Sequence, residues 1–247
     1  MPTLVCDLDG VVYLGETEIP GSGAALAALH AGGWTLLFCT NNASRTPQDS
    51  AAKIARVTGF PALPDSVVTS AQAAATLLDP GTSAFVLGGD GLATAVAERG
   101  VRLSDDWNEV DTVVVGLDPA LTYERLSIAV LAVGRGARFV ASNHDPTYPT
   151  PEGLRPGAGA IVAAVRHATG VAPEFAGKPH RPIRALLASK TEGEVWIVGD
   201  RDDTDLAMGR AEGWKTALVA TGVASQPAEP PTVAVADLAA LARHLLE

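Results

Sequence analysis

The chain has 247 residues, of which 47% are apolar and 19% charged, and a formal net charge of −10. That balance suits a soluble globular protein with room for two α/β units. It excludes a nucleic-acid surface, which needs clustered Lys and Arg against phosphate. No apolar run reaches the roughly 18 residues of a membrane span. Any phosphate substrate meets a repulsive overall field, so a phosphate site must be locally basic or hold a metal. Residues 1–7 lack the basic start and long apolar stretch of a signal peptide. The two cysteines, Cys6 and Cys39, are too few for a disulfide scaffold and read as small buried hydrophobes. A cytoplasmic setting is expected.

In chain order, an apolar run over 3–6 is stopped by Asp7-Leu8-Asp9-Gly10. A helical stretch over 22–31 precedes a second apolar run, 34–39, and another helix is expected over 47–57. Strand-like runs at 83–87, 111–116 and 137–141 alternate with helical stretches at 92–99, 122–133 and 158–168. Apolar runs at 194–198 and 216–219 follow. A proline-marked loop at 227–231 then leads to a closing helix over 236–246. Short continuous apolar strands alternating with helices point to a Rossmann-like, doubly wound parallel sheet covered on both faces. From Asn42 to Lys178 is far too long for a loop, since unstructured connections beyond about 15 residues are uncommon. Residues 79–175 are therefore expected to form an inserted α/β unit, with 1–78 and 176–247 making the core.

Four groups at strand ends carry chemistry, where open α/β sheets bind ligands. In Asp7-Leu8-Asp9, carboxylates two residues apart point to one side of an extended chain, and a divalent cation offsets their repulsion. Asp200, Asp202, Asp203 and Asp205 crowd the segment after the 194–198 strand, a set of hard oxygen donors suited to magnesium. Thr40-Asn41-Asn42 offers a hydroxyl and amides to phosphoryl oxygens. Lys178, between Gly177 and Pro179, can neutralise phosphate and carboxylate together. Leu87-Gly88-Gly89-Asp90-Gly91 lacks the Lys-Ser or Lys-Thr of a phosphate loop and reads as a turn. The histidines have no zinc spacing, and His180 reads as a surface residue.

The order Asp-x-Asp, Thr, Lys, acidic cluster resembles the haloacid dehalogenase superfamily, in its sugar-phosphatase-like branch with a large α/β cap. The strings that carry the resemblance are Asp7-Leu8-Asp9-Gly10-Val11-Val12-Tyr13, Thr40-Asn41-Asn42, Gly177-Lys178-Pro179, and Gly199-Asp200-Arg201 with Asp203-Thr204-Asp205. Val115-Gly116-Leu117-Asp118 and the segment from Asn143 to Gly157 match the cap. The resemblance implies a phosphomonoesterase that uses Mg2+, with Asp7 as nucleophile and Asp9 as general acid and base; the alternatives are a mutase-like phosphoryl-transferring enzyme on the same chemistry and a non-catalytic phosphate-binding protein. It implies metal ligation by Asp7, the Asp9 carbonyl and Asp200, with Asp205 supporting, and a phosphate held by Thr40 and Lys178 with Asn41 and Asn42 alongside. It further implies that the cap closes as a lid, that the loop from Asn143 to Gly157 reads the leaving group, and that the chain can pair as a homodimer through the cap. In that loop, His144 stands where proline is frequent in this branch, and Tyr148 falls near where relatives acting on pyridoxal phosphate use a histidine; both departures speak against that substrate. Tyr148 and Arg155 are the expected readers of a small phosphorylated metabolite, on a backbone stiffened by Pro146, Pro149, Pro151 and Pro156.

Overall fold

The structure, a computed structural model, describes residues 1–150, 152–223 and 227–247, so Pro151 lies outside it. Two parallel sheets carry the chain. The first has six strands, ordered Val233–Val235, Lys215–Val219, Val195–Gly199, Thr3–Cys6, Thr35–Thr40 and Val67–Thr69. The second has five, ordered Glu174–Phe175, Arg138–Ala141, Thr112–Val115, Ser83–Leu87 and Arg102–Leu103. Every strand of the second sheet lies between residues 83 and 175.

Alternation along the strands divides the side chains among three apolar layers, because successive residues face opposite sides of a sheet. Leu4, Cys6, Leu36, Phe38, Trp196 and Val198 join a cluster with the helices Ser22–Ala31, Pro47–Thr58 and Leu238–Leu246. Phe85, Leu87, Val113, Val115, Phe139 and Ala141 join a second, against the helices Tyr123–Arg135 and Ala158–Thr169. The residues between them, Val5, Leu37, Ile197, Ala84, Val86, Val114 and Val140, meet in a third cluster that both sheets share. Cys6 and Cys39 are free and buried in these layers.

The shared layer is built around two helices rich in small residues, Ser70–Ala75 and Asp90–Glu98. Ala71, Ala74 and Ala75 face Leu92, Ala95 and Val96 across it. The glycines from 88 to 91 belong to this packing. The helix begins at Asp90, not near 92, and a Cβ on Gly91 would collide with the Arg45 backbone.

The structure revises two further local readings. The segment expected as a proline-stiffened loop contains a β-hairpin, Thr147–Thr150 against Gly153–Pro156, with Tyr148 directly opposite Arg155. Prolines at 149 and 156 obscure an alternation that is only four residues long on each side. His180 is half-buried. Its ring stacks on Phe175 at 5.3 Å and meets His144 edge-on at 5.5 Å, so packing holds it rather than solvent.

Candidate active site

The strand Thr3–Cys6 lies where the six-stranded sheet reverses its winding, flanked by Val195–Gly199 on one side and Thr35–Thr40 on the other. Cys6 is in register with both Val198 and Phe38. Asp7, Thr40 and Asp200 therefore leave adjacent strands at one end of the sheet, at the switch point where α/β ligands sit. One cavity there is lined by Asp7, Asp9, Thr40, Asn41, Asn42, Lys178 and Asp200. The segment that follows the strand Arg138–Ala141 contributes Asn143 and Asp145 to the same lining, and the hairpin contributes Thr147 and Tyr148.

Lys178 occupies the centre and is 2% exposed. Its ammonium donates to Asp7 Oδ1 and Asp205 Oδ1, each at 2.6 Å, and to the Cys39 carbonyl at 3.0 Å. Burial opposes its charge, but Asp205 and Asp7 more than offset this and raise its pKa well above the usual lysine range. Asp205 also accepts from the Thr204 hydroxyl at 3.1 Å.

One oxygen from each of Asp7, Asp200 and Asp205 lies within 4.8 Å of the others. Three carboxylates around one ammonium leave two negative charges in a buried space when all are ionised. Burial, with Lys178 opposing and Asp205 and Asp200 adding, pushes Asp7 well above the usual carboxylate range. Burial and then Asp205 push Asp200 up to about 6. A dication with hard oxygen preference matches both the charge and the donor set, so these residues fit magnesium. The fit extends to the backbone. Gly10 has φ 89°, and a Cβ there would lie 2.6 Å from Asp200 Oδ2. Asp200 is steadied by the Val223 N–H, which donates to Oδ2 at 2.6 Å.

The acidic segment after Gly199 divides by role. A single π-helical turn, Asp202–Leu206, carries it. Asp200 and Asp205 face the site, whereas Asp203 pairs with Arg201 and Asp202 with Arg210, each at 2.8 Å. The Asp9 carboxylate is not part of the three-carboxylate group, although Asp9 lines the cavity. Burial raises its pKa, opposed first by Lys53 and then by Lys178 and Arg45.

The other residues expected at the site are held largely by local bonds. Thr40 Oγ1 accepts from the Asn42 N–H at 3.0 Å, and Asn42 Oδ1 accepts from the Ser44 N–H and hydroxyl. The Asn41 side chain bonds to Lys178 and Asp145. Tyr148 lines the cavity; Arg155 does not, and sits exposed with Glu152 at 3.6 Å. Two contributors went unread in the sequence. Asp145 lies in the segment from Asn143 to Gly157, where no pattern in the sequence marks it. Lys53 is buried, with its ammonium 3.7 Å over the Tyr13 ring and 3.8 Å from Glu16. Its signal was position, because it shares the buried helix face with Ser50 and Ile54.

The profile of the haloacid dehalogenase-like hydrolases matches residues 4–102, and a second profile, of HAD-hydrolase-like proteins, matches 175–241. An acid sugar phosphatase of Staphylococcus aureus is 42% identical over 244 residues, which cover 94% of this chain and 93% of that protein. The crystal structure of a Mycobacterium tuberculosis glycerol phosphate phosphatase in complex with magnesium superposes with a TM-score of 0.88 at 39% identity, over 97% of this chain and 75% of that one. A hypothetical protein of Pyrococcus horikoshii superposes with a TM-score of 0.91 at 37% identity, over 99% and 100% of the two chains. With relatives this similar across nearly its whole length, the chain belongs to the haloacid dehalogenase-like hydrolases.

Proposed function

We propose that this protein is a phosphatase that hydrolyses a small phosphomonoester through a phosphorylated Asp7. The observation that carries the reading is the buried meeting of Asp7, Asp200 and Asp205, with Lys178 bonded to Asp7 and Asp205, beside a cavity at the sheet's switch point. A binding protein has no need to bury an excess of carboxylate where an anion must enter. The names of the relatives, acid sugar phosphatase and glycerol phosphate phosphatase, put sugar and polyol phosphates first among candidate substrates.

In this reading an Asp7 oxygen attacks phosphorus and the ester P–O bond breaks. Asp9 gives its proton to the leaving oxygen; its raised pKa supports that role by keeping a proton available. Asp9, now a carboxylate, then takes a proton from water. The hydroxide attacks phosphorus, Asp7 is released and inorganic phosphate departs. Lys178 and Thr40 hold phosphoryl oxygens, and the Lys178 ammonium also keeps Asp7 oriented. Magnesium would be held by Asp7, Asp200 and the Asp9 carbonyl, with Asp205 supporting. When bound, it offsets the repulsion between an anionic carboxylate and an anionic ester.

Residues 79–175 form the cap of this proposal and carry the leaving-group contacts. Tyr148 is the reader that the cavity lining favours; Arg155, opposite it on the hairpin, lies outside that lining and pairs with Glu152. Self-association through the same unit is supported by Leu121, Tyr123 and Leu131, which are exposed in or beside one helix, Tyr123 by 86%. A cytoplasmic setting agrees with the two free, buried thiols. The test is a panel of phosphorylated metabolites assayed for free phosphate, with magnesium and with chelator. Release from no member of the panel would remove the reading.

A further inference from the structure

Asn41 stands beside the proposed phosphate site, yet its side chain is committed to the protein. Its Oδ1 accepts from the Lys178 N–H at 2.8 Å. Its Nδ2 donates to the Lys178 carbonyl at 3.3 Å and to Asp145 Oδ2 at 3.0 Å. The amide thus brackets both main-chain polar groups of Lys178. The close approach depends on the preceding residue, because a Cβ on Gly177 would lie 2.5 Å from Asn41 Oδ1 and 2.5 Å from the Ser142 carbonyl.

The two ends of an amide have nearly the same shape, so neighbours decide which is oxygen and which nitrogen. The Lys178 N–H requires oxygen. The Lys178 carbonyl and the Asp145 carboxylate, which are acceptors, require nitrogen. Asp145 reaches this point from the segment after the strand Arg138–Ala141 of the second sheet, 104 residues from Asn41 in sequence. That segment is pinned in place. Asn143 Nδ2 donates to the Asn41 carbonyl at 2.6 Å, and Asn143 Oδ1 accepts from the Asp145 N–H at 3.0 Å. The Ser70 hydroxyl donates to the same Asn41 carbonyl at 2.6 Å.

We propose that Asp145 is a positioning residue that orients the Asn41 amide, fixes the main chain of Lys178, and so couples the seating of the second sheet's loop to the placement of the ammonium between Asp7 and Asp205. The kinetic consequence rests on the phosphatase reading; the placement of Lys178 does not. Two readouts on the full-length protein separate them. One is the rate of acetylation of Lys178 in metal-free protein, followed by mass spectrometry, with exposed Lys215 as internal reference. The other is kcat and KM on 4-nitrophenyl phosphate with magnesium.

Asn41→Asp sets two carboxylates face to face, and local opening then exposes Lys178 to acetylation about tenfold faster, at an unchanged Lys215 rate. Misplacement of the ammonium lowers kcat by about tenfold or more while KM moves less than about threefold. Asp145→Ala goes the same way to a smaller extent and serves where Asn41→Asp does not fold. The double variant Asn41→Asp with Asp145→Asn restores a donor–acceptor pair in the reverse sense and recovers a large part of both losses. An unchanged Lys178 rate in both single variants, or losses that multiply in the double variant, overturns the proposal. It is also overturned if Asp145→Ala leaves 4-nitrophenyl phosphate unaffected and impairs only hydroxyl-bearing esters, since Asp145 is then a leaving-group reader. Wild-type protein that hydrolyses nothing ends the phosphatase reading, and the acetylation arm still decides the positioning.

Discussion

Lys178 shows how one residue ties stability to chemistry. Its ammonium is buried between Asp7 and Asp205, and removing one partner of a buried ion pair costs about 3–5 kcal/mol, because the other charge is left uncompensated. Lys178→Ala is therefore expected to lose stability of that order in urea unfolding with chelator present, and to regain some of it with magnesium. A variant as stable as wild type in chelator would show that the pair contributes little. At the same scale, Asp7→Asn is expected to abolish turnover and covalent labelling, while Asp9→Asn slows both steps by about 10²–10⁴-fold. A phosphorylated residue trapped anywhere but Asp7 would rule out the mechanism. Asp200 adds a pH dependence. Its pKa in the folded metal-free chain is about 6, above the ordinary 3.8. Between those values the folded chain holds the extra proton, so this group's contribution to stability falls as pH rises through that window. Magnesium competes with the same proton. The gain in melting temperature on adding magnesium should be small near about pH 5 and larger near about pH 7.5, and equal gains would remove Asp200 from the metal site.

At the scale of elements, the hairpin Thr147–Thr150 and Gly153–Pro156 sets the two expected readers opposite one another, with only Tyr148 in the cavity lining. Tyr148 faces the cavity, and Arg155 pairs with Glu152 in solvent. Tyr148→Phe is expected to lower kcat/KM for a polyol phosphate and leave 4-nitrophenyl phosphate nearly unchanged. Arg155→Ala is expected to change neither by much, because an exposed ion pair contributes about 0–1 kcal/mol. Equal losses on both esters for Tyr148→Phe would assign it to folding or chemistry. The Asp90–Glu98 helix makes a second case. Gly91 lies against the Arg45 backbone, so Gly91→Val should cost about 1–3 kcal/mol by overpacking, read from thermal or urea unfolding.

At the scale of the molecule, one apolar layer joins the two sheets. Val68, Ala71, Ala74 and Leu78 from the N-terminal segment share it with Val86, Leu92, Val96 and Val140. This layer restrains residues 79–175, so the proposed lid closure would have to slide small residues past one another rather than separate a pair of wetted surfaces. Deleting 79–175 would expose this layer, and the shortened chain is expected to aggregate, as measured by light scattering; a soluble, cooperatively folding remnant would mean the layer is dispensable. The same method tests the proposed self-association: Tyr123→Lys is expected to abolish it, and wild-type protein that is already monomeric removes the proposal.

Local pattern along the chain suffices for most of the elements and for the chemistry at their ends. Runs such as Leu4-Val5-Cys6 and Trp196-Ile197-Val198 are too apolar and too short for anything but covered parallel strands, and the carboxylates, threonine and lysine that follow them are residue types with few other uses together. The strand Val67–Thr69, of 3 residues, and the helix Ser70–Ala75, of 6, are too short to show a period, and prolines interrupt the alternation of the hairpin. Which carboxylates converge was decided in three dimensions: Asp202 and Asp203 are drawn off by Arg210 and Arg201, and Asp205 turns onto Lys178. So was the partnership of Asn41 with Asp145, since a hydrogen bond between residues 104 apart leaves no periodic trace along the chain. Local pattern records burial and turn chemistry, whereas the pairing of charges and amides depends on distances that only the packed sheets set.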